Sequence, residues 1–425
     1  MIGMSATRSL PAAEKARPAN PSARSLRGLD GINFLMADVQ GGVGPYLAVF
    51  LKGGEHWDAG AIGVAMAASS IATTLCQVPA GFVVDSSRAK RLLIAVPGLA
   101  VALGCLLIVI LPRFPTVVAG QVLLGAASAL IPPSIAALSL GLVGMKRLDA
   151  RISRNESFNH GGNFVAAGLA GVLGHYGGYS WIFYLVCVFA AASACVVTLI
   201  NPGEIDHELA RGGEAADTAT PLRELLRRRD LLVFLASVVL FHFGNAAMLP
   251  MAGQVLALKR PGSDTIALSA CIIAAQLVMV GIAWSVGRLS GRGFGRKAIF
   301  LLAFAVLPLR GVLFAFATSP FGAINPFDVV AIQLLDGVAA GIFGVVSVLI
   351  ASDLMRGTGR FNVAQGMTAL AVGLGATLSN ATAGYAVQWF GYSAGFLWLT
   401  AVAVCALGFF AALMPETRAS ETALA

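Results

Sequence analysis

The chain has 425 residues, of which 57% are hydrophobic and only 12% are charged, and its mean hydropathy is +0.81. This composition lies outside the range of soluble globular proteins, so it excludes a soluble enzyme or a soluble binding module. The formal net charge is +8, and the positions of Lys and Arg decide how that charge is interpreted.

Apolar runs of about 20 residues recur along the whole chain, and each run is long enough to cross a hydrocarbon core of roughly 30 Å. The predicted fold class is therefore an all-α integral membrane protein with twelve transmembrane helices. We place the twelve spans at 29–52, 59–84, 92–112, 115–144, 155–175, 179–200, 231–256, 265–287, 297–318, 327–352, 361–387 and 391–414.

The basic residues are distributed unevenly between the two sides of these spans. Both termini and the even-numbered connections hold 24 of the 29 Lys and Arg residues. The opposite side holds Lys52, Arg113, Lys259 and Arg260, and one further residue, Arg310, lies inside a span. This imbalance predicts that both termini are cytoplasmic. Membrane topology explains the basic excess, so we predict no nucleic-acid partner.

Three segments outside the spans are polar. Residues 1–28 are basic and rich in Pro, Ser and Ala, which predicts a disordered cytoplasmic tail rather than a cleaved signal. Residues 201–230 change composition sharply, as expected of a cytoplasmic linker between two halves. The predicted domains are thus the tail, a first bundle at 29–200, the linker, a second bundle at 231–414 and a C-terminal tail at 415–425.

A short loop motif occurs in both halves. Residues 81–91, GFVVDSSRAKR, place Gly81 and Asp85 before a basic cluster between the second and third spans. The pattern returns about 206 residues later from Gly287, with one extra residue and without the Asp. Other positions repeat at a similar offset, for example Pro45 with Pro250. A repeat along the whole length predicts two homologous six-helix bundles with a substrate path between them.

The first loop resembles the signature between the second and third spans of major facilitator superfamily transporters, Gly-x-Leu-Ala-Asp-Arg-x-Gly-Arg-Lys. Gly81, Asp85 and Lys90 match it, and the resemblance extends over residues 29–414. It implies alternating access, with the first, fourth, seventh and tenth spans around the cavity. It also implies a cytoplasmic gate, in which Asp85 meets the start of the eleventh span near 359–362. The gate residues are expected to be Gly81, Asp85, Arg88, Lys90, Arg91, Gly287, Arg292 and Arg296.

The closest pattern is that of bacterial-type twelve-span proton-coupled exporters, but two features depart from it. Gln121 stands where the family often has Arg, and residues 166–171 lack the Pro of the exporter motif. We predict proton-coupled efflux of a small organic solute, drug-like or amphipathic. A proton-coupled importer or a facilitator of a small metabolite is the alternative, and a membrane sensor that moves nothing is a weaker one.

Ionisable side chains inside spans are costly to bury, so each is a functional candidate. Asp38 in the first span, His160 in the fifth and His242 in the seventh are the candidates for proton coupling, because carboxylate and imidazole pKa values shift readily in partly dry sites. The resemblance allows Asp38 and His160 to meet, and His242 is expected to face the cavity. Arg310 and Asp336 lie at similar depth on consecutive helices, which predicts a structural ion pair.

Neutral polar side chains inside the spans are candidates for binding the solute, although each one singly also fits ordinary helix packing. The cavity candidates are Gln40, Gln121, Asn163, Asn245, Gln276 and Gln333. Asn380 offers a further amide, and apolar surface is expected from Trp284, Phe241, Phe243 and Phe343.

No motif of a nucleotide-binding loop, a metalloprotease or a serine hydrolase occurs in the sequence. We therefore predict no enzymatic activity, no cofactor and no metal. The expected partners are a small solute, protons and the lipid bilayer of the plasma (inner) membrane, with the chain acting as a monomer.

Overall fold

The structure is a computed structural model, and it describes residues 21–41, 43–207, 210, 222–259, 262–291, 294–319, 322, 324–355 and 361–418. This described part is helical and contains no β-strand. Its α-helices are α1 Ala23–Gly41, α2 Gly44–Val49, α3 Ala59–Ser86, α4 Leu92–Ile110, α5 Phe114–Ser128, α6 Ile131–Val143, α7 Met145–Gly177, α8 Ser180–Val196, α9 Leu222–Leu225, α10 Arg229–Asn245, α11 Met248–Lys259, α12 Asp264–Gly291, α13 Arg296–Thr318, α14 Pro326–Leu354, α15 Phe361–Phe390 and α16 Tyr392–Leu413.

Ten of the predicted spans are long and apolar enough, within the described residues, to cross a membrane. The other two correspond to α7 and α15, of 33 and 30 residues. Both are longer than the roughly 20 residues that a crossing needs, but they are more polar than the other ten spans. The all-α membrane fold is confirmed, with about twelve crossings.

Three spans are interrupted near their centre. The first divides between α1 and α2, the fourth between α5 and α6, and the seventh between α10 and α11. A proline follows each interruption within a few residues: Pro45, Pro132 and Pro250. Because proline has no N–H group and its ring clashes with the preceding turn, it disfavours an unbroken helix there.

The helices form two bundles with separate cores. In the first bundle, α1 to α8 bury a mainly aliphatic core in which Phe50 and Phe183 meet edge to face at 5.1 Å. In the second, α10 to α16 bury an aromatic cluster around Phe241 and Phe300. Phe304 and Phe410 stack in that cluster with ring centroids 4.6 Å apart.

The start of the first helix differs from the prediction. The chain is helical from Ala23, so residues 23–28 belong to the first span rather than to the predicted tail. Ser22, just before this helix, donates from its backbone N–H and its hydroxyl to Glu204, and the N–H donor holds the pKa of the Glu204 carboxyl below its usual range. These bonds attach the start of α1 to the chain beyond α8. Residues 1–20 of the predicted tail lie outside the described residues, as do residues 208–209 and 211–221 of the predicted linker.

The bundles meet along α3 with α15 and along α7 with α12. We call the side where α1 begins the terminal face. At the other face α3 and α15 touch through glycines: a Cβ added to Gly63 would lie 2.5 Å from the backbone O of Asn380, and one added to Gly384 would lie 2.7 Å from the O of Ala59. At the terminal ends of the same two helices, a Cβ added to Gly81 or Gly366 would meet no atom within 4 Å.

Two hydrogen bonds between the bundles lie at the same face as the glycine contacts. Tyr179 of the first bundle donates to Asp264 at 2.5 Å, and Thr265 donates to the backbone O of Gly171 at 3.5 Å. Both bonds lie toward the face opposite the termini, where α7 ends and α12 begins. The described contacts therefore hold that face together.

Candidate functional site

A cavity of about 520 Å³ lies between the bundles at the level of the interrupted spans. Residues beside all three interruptions line it, including Pro45, Pro132 and Pro250. Irregular backbone inside a membrane protein is tolerated where it lines such a cavity. The proline-induced breaks therefore position polar groups and backbone around this space.

Three of the six predicted cavity residues line this space: Gln40, Gln121 and Asn245. The amides of Gln40 and Gln121 make no hydrogen bond to another described residue, and neither amide is sealed from solvent. Asn380, at the edge of the second bundle, also contributes to the lining. These groups give the cavity neutral hydrogen-bonding capacity.

The other three predicted residues do not line the cavity. Asn163 donates to Asn159 of its own helix at 3.1 Å, and Gln276 bonds to His160 at 3.1 Å. Gln333 is buried beneath the cavity wall. Spacing along a helix did not reveal that these amides have partners within or between helices.

Arg310 and Asp336 form the predicted ion pair, with Nη1 of Arg310 2.8 Å from Oδ1 of Asp336. Arg310 is only 1% exposed, and it also donates to the side chain of Asn245 and, at 2.7 Å, to that of Gln333. Gln333 donates in turn to Oδ2 of Asp336 at 2.7 Å. We call these four residues the Arg310 network. Arg310 and Asp336 belong to the cavity wall, so the predicted ion pair lies at the candidate site.

Asp38 lies inside the first bundle and is 6% exposed. Its neighbours Val39 and Gln40 line the cavity, but Asp38 is not part of that lining. Its Oδ2 has no hydrogen-bond partner among the described residues. A carboxylate in this position is expensive to keep charged, because burial of an oxygen without a donor leaves its lost hydration uncompensated.

The surroundings of Asp38 connect it to the bundle interface. Tyr46 and Cys105 both lie close enough to interact electrostatically with it. The hydroxyl of Tyr46 shares a hydrogen bond of 2.7 Å with Ser269, which belongs to the second bundle. A tyrosine near the buried acid therefore takes part in a contact that joins the bundles.

The two histidine candidates have other surroundings than those predicted. His160 meets Gln276 across the bundle interface rather than Asp38. His242 packs edge to face against Phe343, with ring centroids 4.7 Å apart, and also against Phe241. Its Nε2 is buried without a partner in the described part of the chain. The expectation that His242 faces the cavity is wrong, because the ring turns into the aromatic core.

The basic residues of the first predicted gate loop hold their own bundle together. Lys90 is 1% exposed and donates to the backbone O of Val84. Arg91 donates to the backbone O of Ile200 at 2.9 Å, whereas Arg88 is exposed. In this state the cluster joins the ends of α3, α4 and α8.

The corresponding loop of the second bundle contacts acidic residues from other parts of the chain. Arg296 lies 3.4 Å from Asp353 of α14, and its backbone N–H donates to Glu416 at 2.8 Å. The motif that begins at Gly287 has no Asp of its own, and Asp353 and Glu416 place carboxylates beside it instead. Gly287 lies within α12 rather than in a loop, because that helix continues to Gly291.

Part of the predicted gate lies outside the described residues. This holds for the side chain of Asp85, for Arg292, and for the segment at 356–360 together with the side chain of Asn362. The expected meeting of Asp85 with the eleventh span therefore stays a prediction.

A charge cluster around a buried acid in the first bundle was missed. Asp30 of α1 lies 2.5 Å from Arg151 and 2.8 Å from Arg154, both in α7. Sequence reasoning counted the two arginines only as topology signals. The available signal was Asp30 at the edge of the first apolar run, a charge that needs a partner.

Hydroxyl groups of α3 in the cavity wall were also missed. Ser69, Ser70 and Thr73 contribute to the lining. Their spacing on one helical face was the available signal, since residues three and four apart lie on the same side of a helix.

Comparison with known sequences gives the family context. The model of the Major Facilitator Superfamily matches residues 30–327. Two proteins of Mycobacterium tuberculosis, the MFS-type transporters MT2531 (strain CDC 1551 / Oshkosh) and Rv2456c (strain ATCC 25618 / H37Rv), are each 40% identical over 403 residues. The match covers 94% of this chain and 95% of each relative. Both relatives carry the description uncharacterized.

Comparison with solved structures identifies the same architecture. The nucleoside transporter NupG has a TM-score of 0.73 at 16% identity, over 91% of this chain and 98% of its own. A D-xylose-proton symporter has a TM-score of 0.69 at 14% identity, over 93% and 98%. At these identities the likeness concerns the fold alone.

Proposed function

Because the chain belongs to the major facilitator superfamily, we propose that it is a secondary active transporter that carries a small organic solute, with protons as the coupling ion. The observation that carries this proposal is the cavity of about 520 Å³, whose wall combines residues of both bundles. Its size suits one small molecule, and rocking of the bundles around such a site is the way in which this architecture transports.

The two faces of the molecule support alternating access. Gly63 and Gly384 bring α3 and α15 into contact at one face, whereas Gly81 and Gly366 border open space at the terminal face. We propose that this state is open toward the termini and closed opposite to them. With the Lys and Arg distribution, the open side is the cytoplasm. We place the chain, as a monomer, in the plasma (inner) membrane.

Asp38 is the proposed proton carrier. Its buried and unpartnered oxygen favours binding a proton, because protonation removes an uncompensated charge. Tyr46 lies near Asp38 and shares a hydrogen bond with Ser269 of the second bundle, so a change of charge on Asp38 acts on a contact between the bundles. Proton binding and bundle movement are then coupled through the preference of each state for one form of the acid.

Efflux is the proposed direction, following the resemblance to proton-coupled exporters. Import or facilitated transport of a small metabolite is the second candidate. The amide groups in the cavity wall, Gln40, Gln121 and Asn245 among them, favour this second candidate. A drug-like amphipathic solute is better matched by aromatic side chains, and none of the described lining residues is aromatic.

Transport by Asp38→Asn in proteoliposomes tests the proposal. Labelled hexoses, nucleosides and amphipathic cations are screened for accumulation under a pH gradient and for counterflow without one. We expect the variant to lose accumulation of the transported probe and to retain counterflow, because only the proton site is removed. Asp58→Asn, at an exposed loop position, is the control and should behave as the native protein.

Accumulation that is unchanged in Asp38→Asn would remove the proton assignment. Loss of counterflow together with accumulation would indicate that Asp38 serves the structure alone. If the native protein shows neither activity with any probe, the proposed transport function itself is contradicted.

A further inference from the structure

We infer that the solute is uncharged and rich in hydroxyl or amide groups, with about the size of a monosaccharide or a nucleoside. This inference rests on the proposed transport function and narrows its substrate class. Three properties of the cavity wall carry it: the state of its charges, its free amides, and the position of the aromatic side chains.

The charges of the cavity wall compensate each other. Arg310 and Asp336 are the charged side chains in the described lining, and they form an ion pair at 2.8 Å. Asn245 and Gln333 engage the same two groups. The Nε of Arg310 is buried and makes no hydrogen bond in the described part of the chain.

This arrangement disfavours ionic solutes. An anion would have to separate Arg310 from Asp336, and the displaced carboxylate would then repel it. A cation at Asp336 would leave Arg310 uncompensated in the interior. Binding an anion or a cation would therefore cost far more free energy than binding an uncharged solute, since breaking a buried ion pair leaves a charge without a partner.

The neutral amides are the groups left for binding. Gln40 comes from α1 and Gln121 from α5, and neither bonds to another described residue. An amide offers both donors and an acceptor, which matches hydroxyl and amide groups of a solute. Gln121 also stands where the superfamily motif often has Arg, so this chain presents a neutral group at a position that is often charged.

The aromatic residues expected around the solute lie elsewhere. None of the described lining residues is aromatic. Phe241 and Phe343 stack within the core of the second bundle, Phe243 faces Trp398, and Trp284 is 62% exposed on α12 under the guanidinium of Arg288. The wall thus lacks the ring faces that attract organic cations.

Binding to the purified full-length protein tests the substrate class apart from transport. Thermal stabilisation is measured with a neutral set of hexoses, pentoses, polyols and nucleosides, and with L-glutamate and tetraphenylphosphonium. We expect stabilisation by a member of the neutral set and none by the two ions. Stabilisation by either ion, or by no neutral probe, would overturn the inference.

Substitution of a free amide locates the binding. Gln121→Leu should weaken the apparent affinity for the neutral probe by about two- to tenfold, the effect of one lost neutral hydrogen bond. Thr198→Val, at an exposed position outside this wall, should leave it unchanged. Equal affinities in the native protein and Gln121→Leu would contradict the assigned site.

The two hypotheses fail in different ways. A neutral probe that stabilises the protein but shows no counterflow in proteoliposomes would support the substrate class and contradict the transport function. Counterflow of tetraphenylphosphonium without binding of neutral probes would support the transport function and contradict the substrate class.

Discussion

Beside the cavity, the two bundles treat buried charge in opposite ways. In the first, Asp38 is buried with an oxygen that has no partner among the described residues. In the second, Arg310 is buried but shares its charge with Asp336 and two amides. The first bundle therefore holds a group whose charge state is free to change, whereas the second holds a fixed polar wall.

Positions related by the internal repeat sharpen this contrast. Gln40 and Asn245 stand at an offset of 205 residues, and both line the cavity. Asn245 accepts a hydrogen bond from Arg310, while Gln40 has no partner among the described residues. Of these two equivalent positions, Gln40 is thus available to bind a solute, whereas Asn245 is held in the Arg310 network. We expect substitutions in the second bundle to act mainly on folding, and those in the first mainly on binding and coupling.

The largest expected effect is on the Arg310 network. Asp336→Asn should lower the free energy of unfolding by roughly 3–5 kcal/mol, because it leaves Arg310 buried without a counter-charge. The measurement is the melting temperature and the folded yield in detergent. Asp58→Asn, the same change at an exposed position, should alter neither.

A double substitution separates loss of the charge pair from loss of shape. Arg310→Gln combined with Asp336→Asn removes both charges and leaves amides beside Asn245 and Gln333, so we expect it to recover most of the lost stability. Additive losses in the double variant would contradict a paired network.

The next largest effect is expected at the contact between α3 and α15, to which each bundle contributes one glycine, Gly63 and Gly384. Gly63→Leu places a side chain where the backbone O of Asn380 lies 2.5 Å from the Cβ position. The closed face should open, and counterflow should fall by at least about tenfold, equivalent to roughly 1.4 kcal/mol.

Labelling detects this opening directly. A Cys at Ser69, in the cavity wall, is placed in a background without the native cysteines and exposed to an impermeant thiol reagent from the side opposite the termini. Labelling should rise in Gly63→Leu but not in Gly281→Leu, where an added Cβ meets open space. Equal labelling in both would show that this glycine contact does not close the face.

Much of the fold follows from the sequence, because spans and repeats are recorded in hydropathy and spacing. The Arg310–Asp336 pair was also predictable, since two opposite charges at equal depth on consecutive helices have few other ways to be compensated. The orientation of side chains was not. His242 turns into the aromatic core and Gln276 toward His160, and these directions depend on helix rotation and tilt, which packing against neighbours determines.

The smallest expected effect is that of Asp38→Asn on stability, and it is the most direct test of the contrast between the bundles. Since Oδ2 of Asp38 has no partner among the described residues, an amide of the same shape loses little and removes the cost of a buried charge. The melting temperature should therefore stay the same or rise slightly, while Asp336→Asn, the identical chemical change in the other bundle, lowers it strongly. A fall in Asp38→Asn as large as that in Asp336→Asn would show that Asp38 is a structural acid with a partner of its own. The charge of Asp38 would then be fixed by a partner, as the charge of Arg310 is in the second bundle.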